Sequence, residues 1–367
     1  MNAQPAAGGG RGPGRVAASS LALCLGLLLS LALGLGACVA SGSGGQGDGS
    51  TTNPAPASED PELDMQPILR PSTLDPQLVG AGAWLDGVRY PSLRAALLVA
   101  TEGTLIELEP GVHPGPVELT LSVQLKPHSA DDDVIIDSRS PVALRVRAGA
   151  EVSISHILLR TDGPPRSSGD AAIVVQNATL IADACRITAR RAGGIQALNG
   201  KIELTSVFVH CEQGQTAIMV SDGSVARMHG CTVETGAGIG SGVEVWESEC
   251  RITGGRIQAA TAGLVAGSFG RLRADDVDLK GTGAACLVDG TLELFACEIS
   301  QARRGVSVRG AVRLTGCQLL GNDTALLMAG EAGYLTLSSM IFSGNNRRLE
   351  FVEGAEPSQV DDRDAPR

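Results

Sequence analysis

Residues 291 to 320 read TLELFACEIS QARRGVSVRG AVRLTGCQLL, and this stretch contains one apolar pattern twice. Four apolar positions recur twenty residues apart, first as Leu292, Leu294, Cys297 and Ile299 and then as Val312, Leu314, Cys317 and Leu319. The first pair of each copy alternates with polar residues, a period of two that is typical of a strand buried on one face. A unit this short cannot bury its apolar side alone, so the stretch predicts a repeat protein.

Copies of the pattern return from Val152 to Phe342 at steps of 20 to 28 residues. Their third position holds, in order, Ile157, Cys185, Val207, Cys231, Gly255, Val277, Cys297, Cys317 and Met340. Helical repeats of the ankyrin or tetratricopeptide type need 33 or 34 residues and a helical period, which this chain lacks. A step of about 22 residues holds three short strands, and coils stacked about 4.8 Å apart form a parallel β-solenoid. The sequence therefore predicts an all-β solenoid of about ten to eleven coils.

The repeats resemble the right-handed parallel β-helix family, the pectate-lyase-like solenoids. The resemblance covers roughly residues 80 to 350. It rests on the coil period, on units such as Gly305 to Cys317, and on an opening segment from Tyr90 to Leu97 that is followed by Gly103 to Leu108. It implies a right-handed solenoid that begins with a short capping helix. It implies no particular activity, because one fold hosts many functions.

The amino-terminal region has the layout of a secretory signal. Residues 16 to 37 are almost wholly apolar or small and follow Arg11 and Arg15. The run ends in LGAC at residues 35 to 38, which resembles the bacterial lipobox and implies cleavage before Cys38 and acylation of its thiol. The alternative is an uncleaved anchor helix, since about 22 apolar residues can also span a bilayer.

The rest of the chain divides by composition. We predict a signal peptide over residues 1–37, a Gly/Ser/Pro-rich tether over 38–62, the solenoid over 63–352 and an acidic disordered tail over 353–367. Position 39 is Val and not Asp. By resemblance to Gram-negative lipoprotein sorting, this favours the outer membrane of the cell envelope.

Charge and cysteine content narrow the functional classes. The net charge is −11, and removing Arg11 and Arg15 with the signal lowers it to −13, so a nucleic-acid partner is not expected. Of nine Cys, seven fall in the solenoid at the coil period and without a C-x-x-C pair, which predicts core packing. A disulfide between neighbouring coils, with Cys297 and Cys317 as the best pair, stays open. No metal or other cofactor is predicted.

The candidate site residues come from two sources: comparison with polysaccharide-cleaving relatives, and outward-facing positions on and near one sheet face. Asp275 and Asp276 match one element of the polygalacturonase pattern, but the Asn-Thr-Asp, Gly-His-Gly and Arg-Ile-Lys elements are missing, so no catalytic residue is predicted. The candidate binding residues are those two carboxylates together with Arg251, Arg271, Arg273 and Arg313. Arginines in a row can form bidentate hydrogen bonds with the carboxylates or sulfates of an acidic glycan. The alternative is an ordinary solvated sheet face of mixed charge.

The sequence thus favours a non-catalytic, lipid-anchored protein of the cell envelope that offers a long face to a protein or polysaccharide. Two other interpretations stay open: a diverged polysaccharide lyase or glycoside hydrolase, and a structural spacer without a specific ligand.

Overall fold

The computed structural model describes residues 81–363 apart from residues 168, 214, 237, 239, 282, 331, 332 and 353. The predicted signal, Cys38, the tether and the first part of the predicted solenoid domain lie outside the described residues. Among the described residues, no helix is long and apolar enough to cross a membrane.

Nearly all regular structure belongs to three ladders of parallel strands that the chain visits in turn. The first ladder contains β3 (Thr104–Leu108), β6 (Val123–Pro127), β9 (Glu151–Ser155), β12 (Thr179–Asp183), β15 (Lys201–Thr205), β18 (Val225–Thr235), β20 (Glu249–Ala259), β22 (Arg271–Asp275), β25 (Thr291–Phe295), β28 (Ala311–Thr315), β31 (Tyr334–Ser338) and β34 (Val360–Asp362). The second contains β4 (Gly111–Pro114), β7 (Val134–Ser138), β10 (Ile157–Thr161), β13 (Arg186–Ala189), β16 (Phe208–Cys211), the second halves of β18 and β20, β23 (Asp278–Gly281), β26 (Glu298–Ser300), β29 (Gln318–Leu320) and β32 (Ile341–Ser343). The third contains β5 (Val117–Leu119), β8 (Leu144–Val146), β11 (Ala171–Gln176), β14 (Gly193–Leu198), β17 (Ile218–Ser221), β19 (Ser241–Val245), β21 (Ala262–Ala266), β24 (Ala284–Val288), β27 (Arg304–Val308), β30 (Thr324–Met328) and β33 (Arg347–Phe351).

These ladders confirm the predicted parallel β-solenoid, which has about eleven turns and almost no helix. A small cap begins it. In this cap β1 (Ala83–Leu85) pairs antiparallel with β2 (Val88–Tyr90) and with β3. The predicted capping helix is α1 (Leu93–Leu97), which starts where the side chain of Ser92 accepts a hydrogen bond from the backbone N–H of Ala95 at 3.2 Å.

The repeated apolar positions form the core, as the period of two predicts. Leu292, Leu294 and their equivalents in the neighbouring coils are almost completely buried. Two third positions differ: Gly255 is exposed and Met340 is only partly buried. From β9 to β32, each corner between the first and second ladders is a residue in the left-handed region, with φ between 48° and 65°. These corner residues are His156, Ala184, Ser206, Gly230, Gly254, Asp276, Ala296, Gly316 and Ser339.

The third ladder adds a constraint that the apolar pattern does not show. In eight of its strands a buried Gly or Ala is the second residue, or in β17 directly precedes the first, and a buried apolar residue follows it. The small residues are Ala172, Gly194, Ala217, Gly242, Gly263, Ala285, Gly305 and Ala325. A β-carbon built on Gly242 would come within 2.5 Å of both the carbonyl oxygen of Gly263 and Cγ2 of Ile257. A side chain of the second ladder and the backbone of the next coil therefore limit this position to small residues.

All seven cysteines of the described region are buried and free, which confirms core packing. Three thiols also donate weak hydrogen bonds to a carbonyl of the preceding coil: Cys185 to Ile154 at 3.6 Å, Cys231 to Leu204 at 3.5 Å and Cys297 to Ala274 at 3.5 Å. Val fills the same position in other coils but cannot donate. Burial raises the pKa of the Cys185 thiol to about 11, so these thiols are poor nucleophiles.

The carboxyl-terminal segment differs from the disordered tail that its composition predicts. Val360 and Asp362, at the ends of β34, pair with Leu335 and Leu337 of β31, and Val360 packs against the core. Asp362 also accepts a hydrogen bond from Arg348 Nη2 at 2.8 Å. The negative charges suggested a solvated tail, but strand pairing, one apolar contact and one ion pair join residues 360–362 to neighbouring strands.

The buried side chain of His113 in the first coil should make the stability of the protein depend on pH. It is completely buried, its Nε2 donates to the carbonyl of Glu109 at 2.9 Å, and its Nδ1 has no partner among the described residues. Burial lowers its pKa below the ordinary 6.5. The unfolded chain therefore binds the proton more readily. The contribution of neutral His113 to the free energy of unfolding is complete above pH 6.5. As the pH falls below 6.5, the free energy of unfolding decreases by up to about 1.4 kcal/mol per pH unit.

We expect denaturant unfolding of the wild type to show this acid-dependent loss and His113→Leu to lack that component. Parallel pH profiles of the two proteins would contradict the assignment to His113.

Candidate functional site

A strongly charged surface is the outer side of the first ladder at β18, β20 and β22. Arg227, Arg251 and Arg273 are direct partners on these three consecutive coils, so their side chains leave the sheet in one column. Parallel strands lie about 4.8 Å apart, which sets the spacing of the guanidinium stems. We call Arg227, Arg251, Arg271 and Arg273 the arginine face.

The column of the arginine face ends in a carboxylate on each side. Glu203 on β15 pairs with Arg227 in register, and Glu293 on β25 pairs with Arg273. The ion-pair distances are 3.7 Å from Arg227 Nη1 to Glu203 and 3.9 Å from Arg273 Nη1 to Glu293. Both contacts are long, so they hold the two ends of the column only loosely.

Asp275 organises the centre of the arginine face. Its carboxylate accepts hydrogen bonds from Arg273 Nε and Nη2, each at 3.2 Å, and from Arg251 Nη2 at 3.3 Å. The hydrogen bond to Asp275 raises the pKa of Arg273, whose guanidinium also lies 4.4 Å from the centre of the Phe295 ring. One carboxylate and one aromatic ring thus pre-orient two guanidinium groups.

Three of the four arginines keep most of their side-chain surface in water despite these pairs, and Arg273 keeps 43%. The exposed fraction is 74% for Arg271, 67% for Arg227 and 60% for Arg251. Each guanidinium has five N–H donors in a planar fork, and one or two contacts leave the others available. The face can therefore accept anionic groups without first breaking a buried ion pair.

A depression of about 890 Å³ lies over the arginine face. Besides the four arginines, its polar lining includes Glu203, Thr205, His229, Glu249, Thr253, Thr291 and Glu293. Hydroxyl groups and charges of both signs thus surround the arginine column along five coils. The shape suits an extended ligand that runs parallel to the solenoid axis.

The structure brings together four of the six predicted site residues: Arg251, Arg271, Arg273 and Asp275. Arg313 lies in the same column beyond Glu293, with its guanidinium 6.0 Å from the Phe295 ring. Asp276 takes the corner after β22 with φ of 58°, and no contact among the described residues joins it to the arginines.

Sequence reasoning missed Arg227 and Phe295. The signal for Arg227 was present, because Arg227 precedes Arg251 by the same 24 residues that separate Cys231 from Gly255.

A second cluster of charged and aromatic side chains lies on the outer side of the second ladder. His210 Nδ1 is buried and faces a Glu234 carboxylate oxygen at 3.4 Å on the next coil. The Phe208 ring stacks on His210 with centroids 6.2 Å apart, and the Arg186 guanidinium lies 4.5 Å from the centre of the Phe208 ring. Burial lowers the pKa of Arg186. His210 Nδ1 has no hydrogen-bond partner among the described residues, so its contact with Glu234 is a close approach without a hydrogen bond.

Neither cluster gathers ligands for a metal ion. Across the described part of the chain, no group of three or more His, Cys, Asp or Glu side chains is arranged to hold one.

No family model matches the chain, and no curated protein does. Solved structures do resemble it, among them two epimerases. The first is the A-module of a mannuronan C-5 epimerase from Azotobacter vinelandii, at 12% identity and a TM-score of 0.37, covering 76% of this chain and 95% of that one. The second is a periplasmic alginate epimerase, at 10% identity and a TM-score of 0.23, covering 68% of this chain and 85% of that one. Similarity at this level concerns the β-solenoid fold alone.

Proposed function

We propose that the protein is a non-catalytic, lipid-anchored β-solenoid of the cell envelope whose arginine face binds an acidic polysaccharide. The observation that carries the proposal is the column of Arg227, Arg251 and Arg273 on three consecutive coils. The proposed anchor is the acylated Cys38, and the proposed location is the outer membrane of a Gram-negative bacterium.

The column favours a polymer over a single small anion. Arginine side chains occupy equivalent positions on three consecutive coils. A polymer with an acidic group on successive units can therefore contact several arginines at once. Carboxylate and sulfate groups match the planar fork of arginine, and hydrogen bonds to charged groups contribute more than neutral ones. Each contact is modest because it is exposed to water, and the affinity comes from their number.

The local charge supports an anionic ligand although the whole chain is negative. The four arginines of the face lie among four carboxylates, Glu203, Glu249, Asp275 and Glu293, so this surface is about neutral. The net charge of the whole chain is −11, so the surface outside the arginine face repels polyanions. A polyanion is therefore directed to this face.

We expect the double variant Arg251→Gln and Arg273→Gln to bind polygalacturonate at least about tenfold more weakly than the wild type at low salt, since two sets of charge-assisted hydrogen bonds are lost. Titration calorimetry or biolayer interferometry measures the change. The matched control is Arg309→Gln. Arg309 is a half-exposed arginine outside the face, 3.9 Å from Asp289, and its replacement should leave binding unchanged.

Equal weakening by Arg309→Gln would show that binding follows net charge and not the arginine face. Polyphosphate and neutral dextran complete the comparison. The wild type should not bind dextran, and added salt should weaken its binding to polygalacturonate.

A diverged polysaccharide lyase or hydrolase is the second candidate, and the specific observation in its favour is the His210–Glu234 contact. A histidine oriented by a carboxylate is a common general base. Cleavage of a uronate polymer that is lost in His210→Ala, while binding and folding persist, would replace our proposal with this one. Cleavage that is lost instead in Asp275→Ala would place the chemistry on the arginine face.

A further inference from the structure

We propose that Phe269 is a stacking platform for the pyranose ring of a uronate unit whose carboxylate is bound by the neighbouring Arg271. The inference rests on the proposed function and deepens it, because it adds recognition of the sugar ring to recognition of charge. Phe269 then selects for the ring, and Arg271 selects for the acidic group that the ring carries.

The ring of Phe269 is left in water by the fold. Its residue is 82% exposed. The rings of Phe208, Phe295 and Phe342 each have a guanidinium within 4.5 Å of their centres, and Phe351 packs against the core. Of the five phenylalanines, only Phe269 has neither kind of contact among the described residues. Its ring therefore adds nothing to the packing of the solenoid.

The backbone of Phe269 carries strain as well. Its φ is 57°, in the left-handed region that bulky residues rarely adopt. Phe269 lies two residues before the start of β22, and the same position before the five preceding strands of the first ladder also has a positive φ. These five residues are Gly149, Asn177, Asn199, Gly223 and Glu247. Gly and Asn adopt this backbone at little cost, whereas Phe does not. Strain and exposure at one residue point to a function for its ring.

Phe269 lies beside Arg271, at the edge of the arginine face. Gly270 separates them, and it is buried where a β-carbon would collide with the carbonyl oxygen of Val245 on the preceding coil. No side chain of the strand therefore stands between the Phe269 ring and the Arg271 guanidinium, whose side chain is 74% exposed. Two residues span at most about 7 Å of chain, so one sugar unit can contact both groups.

The turn that carries Phe269 is held in place by its neighbours. The backbone N–H of Gly270 donates to the carbonyl of Gly267 at 2.9 Å, which closes a four-residue turn with Phe269 in its third position. The indole ring of Trp246, on the preceding coil, lies against Gly267, where a β-carbon would collide with it. A ring on a fixed turn is positioned before the ligand arrives, which reduces the entropy lost on binding.

Phe269 and Arg271 together match the two parts of a uronate unit. The face of an aromatic ring carries partial negative charge and attracts the C–H groups on the apolar side of a pyranose ring. Arg271 Nη1 contacts Glu249 at 3.3 Å, but a guanidinium has five N–H donors, and the others stay available for a carboxylate. Because the arginine face is about neutral, charge alone selects weakly among polyanions. Contact with the sugar ring supplies the preference.

The test compares binding of polygalacturonate and polyaspartate to the full chain at low salt, measured by biolayer interferometry. Polyaspartate carries carboxylates but no sugar ring. Phe269→Asn removes the ring and gives the corner a residue that suits its φ. We expect this variant to bind polygalacturonate about fivefold more weakly and polyaspartate as the wild type does. Its denaturant midpoint should stay the same or rise, because strain is relieved. Arg271→Gln should weaken binding of both polymers.

The matched control is Tyr334→Asn, which removes another exposed ring from the first ladder. Tyr334 is 49% exposed and lies in the column of Arg271, three coils further along the solenoid. Its position is beyond the proposed binding surface at β18, β20 and β22, so we expect unchanged binding of both polymers.

Four results would overturn the inference: unchanged binding of polygalacturonate to Phe269→Asn, an equal loss of polyaspartate binding, an equal effect of Tyr334→Asn, or a lower denaturant midpoint of Phe269→Asn, which would mean that the ring packs against the chain itself. The double variant Arg251→Gln and Arg273→Gln tests the proposed function separately. If it weakens polygalacturonate binding and Phe269→Asn does not, the arginine face stands and the platform is refuted. A wild type that does not bind polygalacturonate refutes both.

Discussion

Replacing Gly242 by Ala should lower the free energy of unfolding by about 3 kcal/mol, the upper end of the usual cost of overpacking a core. The added β-carbon would lie within 2.5 Å of Cγ2 of Ile257 and of the carbonyl oxygen of Gly263. The oxygen belongs to the backbone of the next coil and cannot rotate away. The third and second ladders would have to separate at this coil. Denaturant unfolding followed by circular dichroism measures the loss.

The matched control for this change is Gly330→Ala, which adds the same atom in open space. The nearest atom to its β-carbon would be Cγ of Arg309 at 3.8 Å, an ordinary contact. Its φ lies outside the left-handed region, so Ala can adopt the same backbone and should leave stability unchanged or slightly higher. If both variants unfold at the same denaturant concentration, the small-residue position does not limit the packing of the ladders.

Replacing Asn322 by Ala should cost a similar amount, about 3 kcal/mol, for a different reason: buried polar groups lose their partners. The Asn322 side chain is 1% exposed, accepts from the backbone N–H of Ala302 at 3.0 Å, and donates to the carbonyl of Ile299 at 3.1 Å and to Asn345 Oδ1 at 3.0 Å. Truncation leaves these groups unpaired inside a corner between the second and third ladders. The same unfolding experiment measures the effect.

Asn346→Ala is the matched control, one residue along from the partner of Asn322. Asn346 is exposed, and its side chain donates only to Asp323 at 3.2 Å, where water can replace it. A change below about 0.5 kcal/mol is expected. A small effect of Asn322→Ala would mean that water enters the corner and that the asparagine contact between coils contributes little.

Most of the fold follows from side-chain periodicity. The spacing that links Leu292 to Val312 and Cys297 to Cys317 predicted the strands, the stacking and the buried cysteines, because each depends on which side of a strand faces inward. The small-residue position at Gly242 and the contact of Asn322 with Asn345 were not predicted. Both depend on the distance between coils at a corner, where the sequence shows only a glycine or a polar residue that is typical of any turn.

The candidate site was predicted only in part, because side-chain periodicity gives the side of a strand on which a residue lies but not the contacts that it makes. Alternation along β20 and β22 placed Arg251 and Arg273 on the outer side, whereas Asp275 was named for its match to one element of the polygalacturonase pattern. Whether the three side chains touch depends on rotamers across neighbouring coils, which periodicity does not fix. His210 and Glu234 belong to different repeats, and only the register of β16 against β18 brings them together.

A crystal structure of the protein with a bound oligogalacturonate tests the central claim most directly. The account predicts the oligosaccharide over β18, β20 and β22, parallel to the solenoid axis, with its carboxylates on Arg227, Arg251 and Arg273. An oligosaccharide bound instead against His210 and Glu234 on the second ladder, or no bound sugar at concentrations that saturate binding in solution, would contradict it.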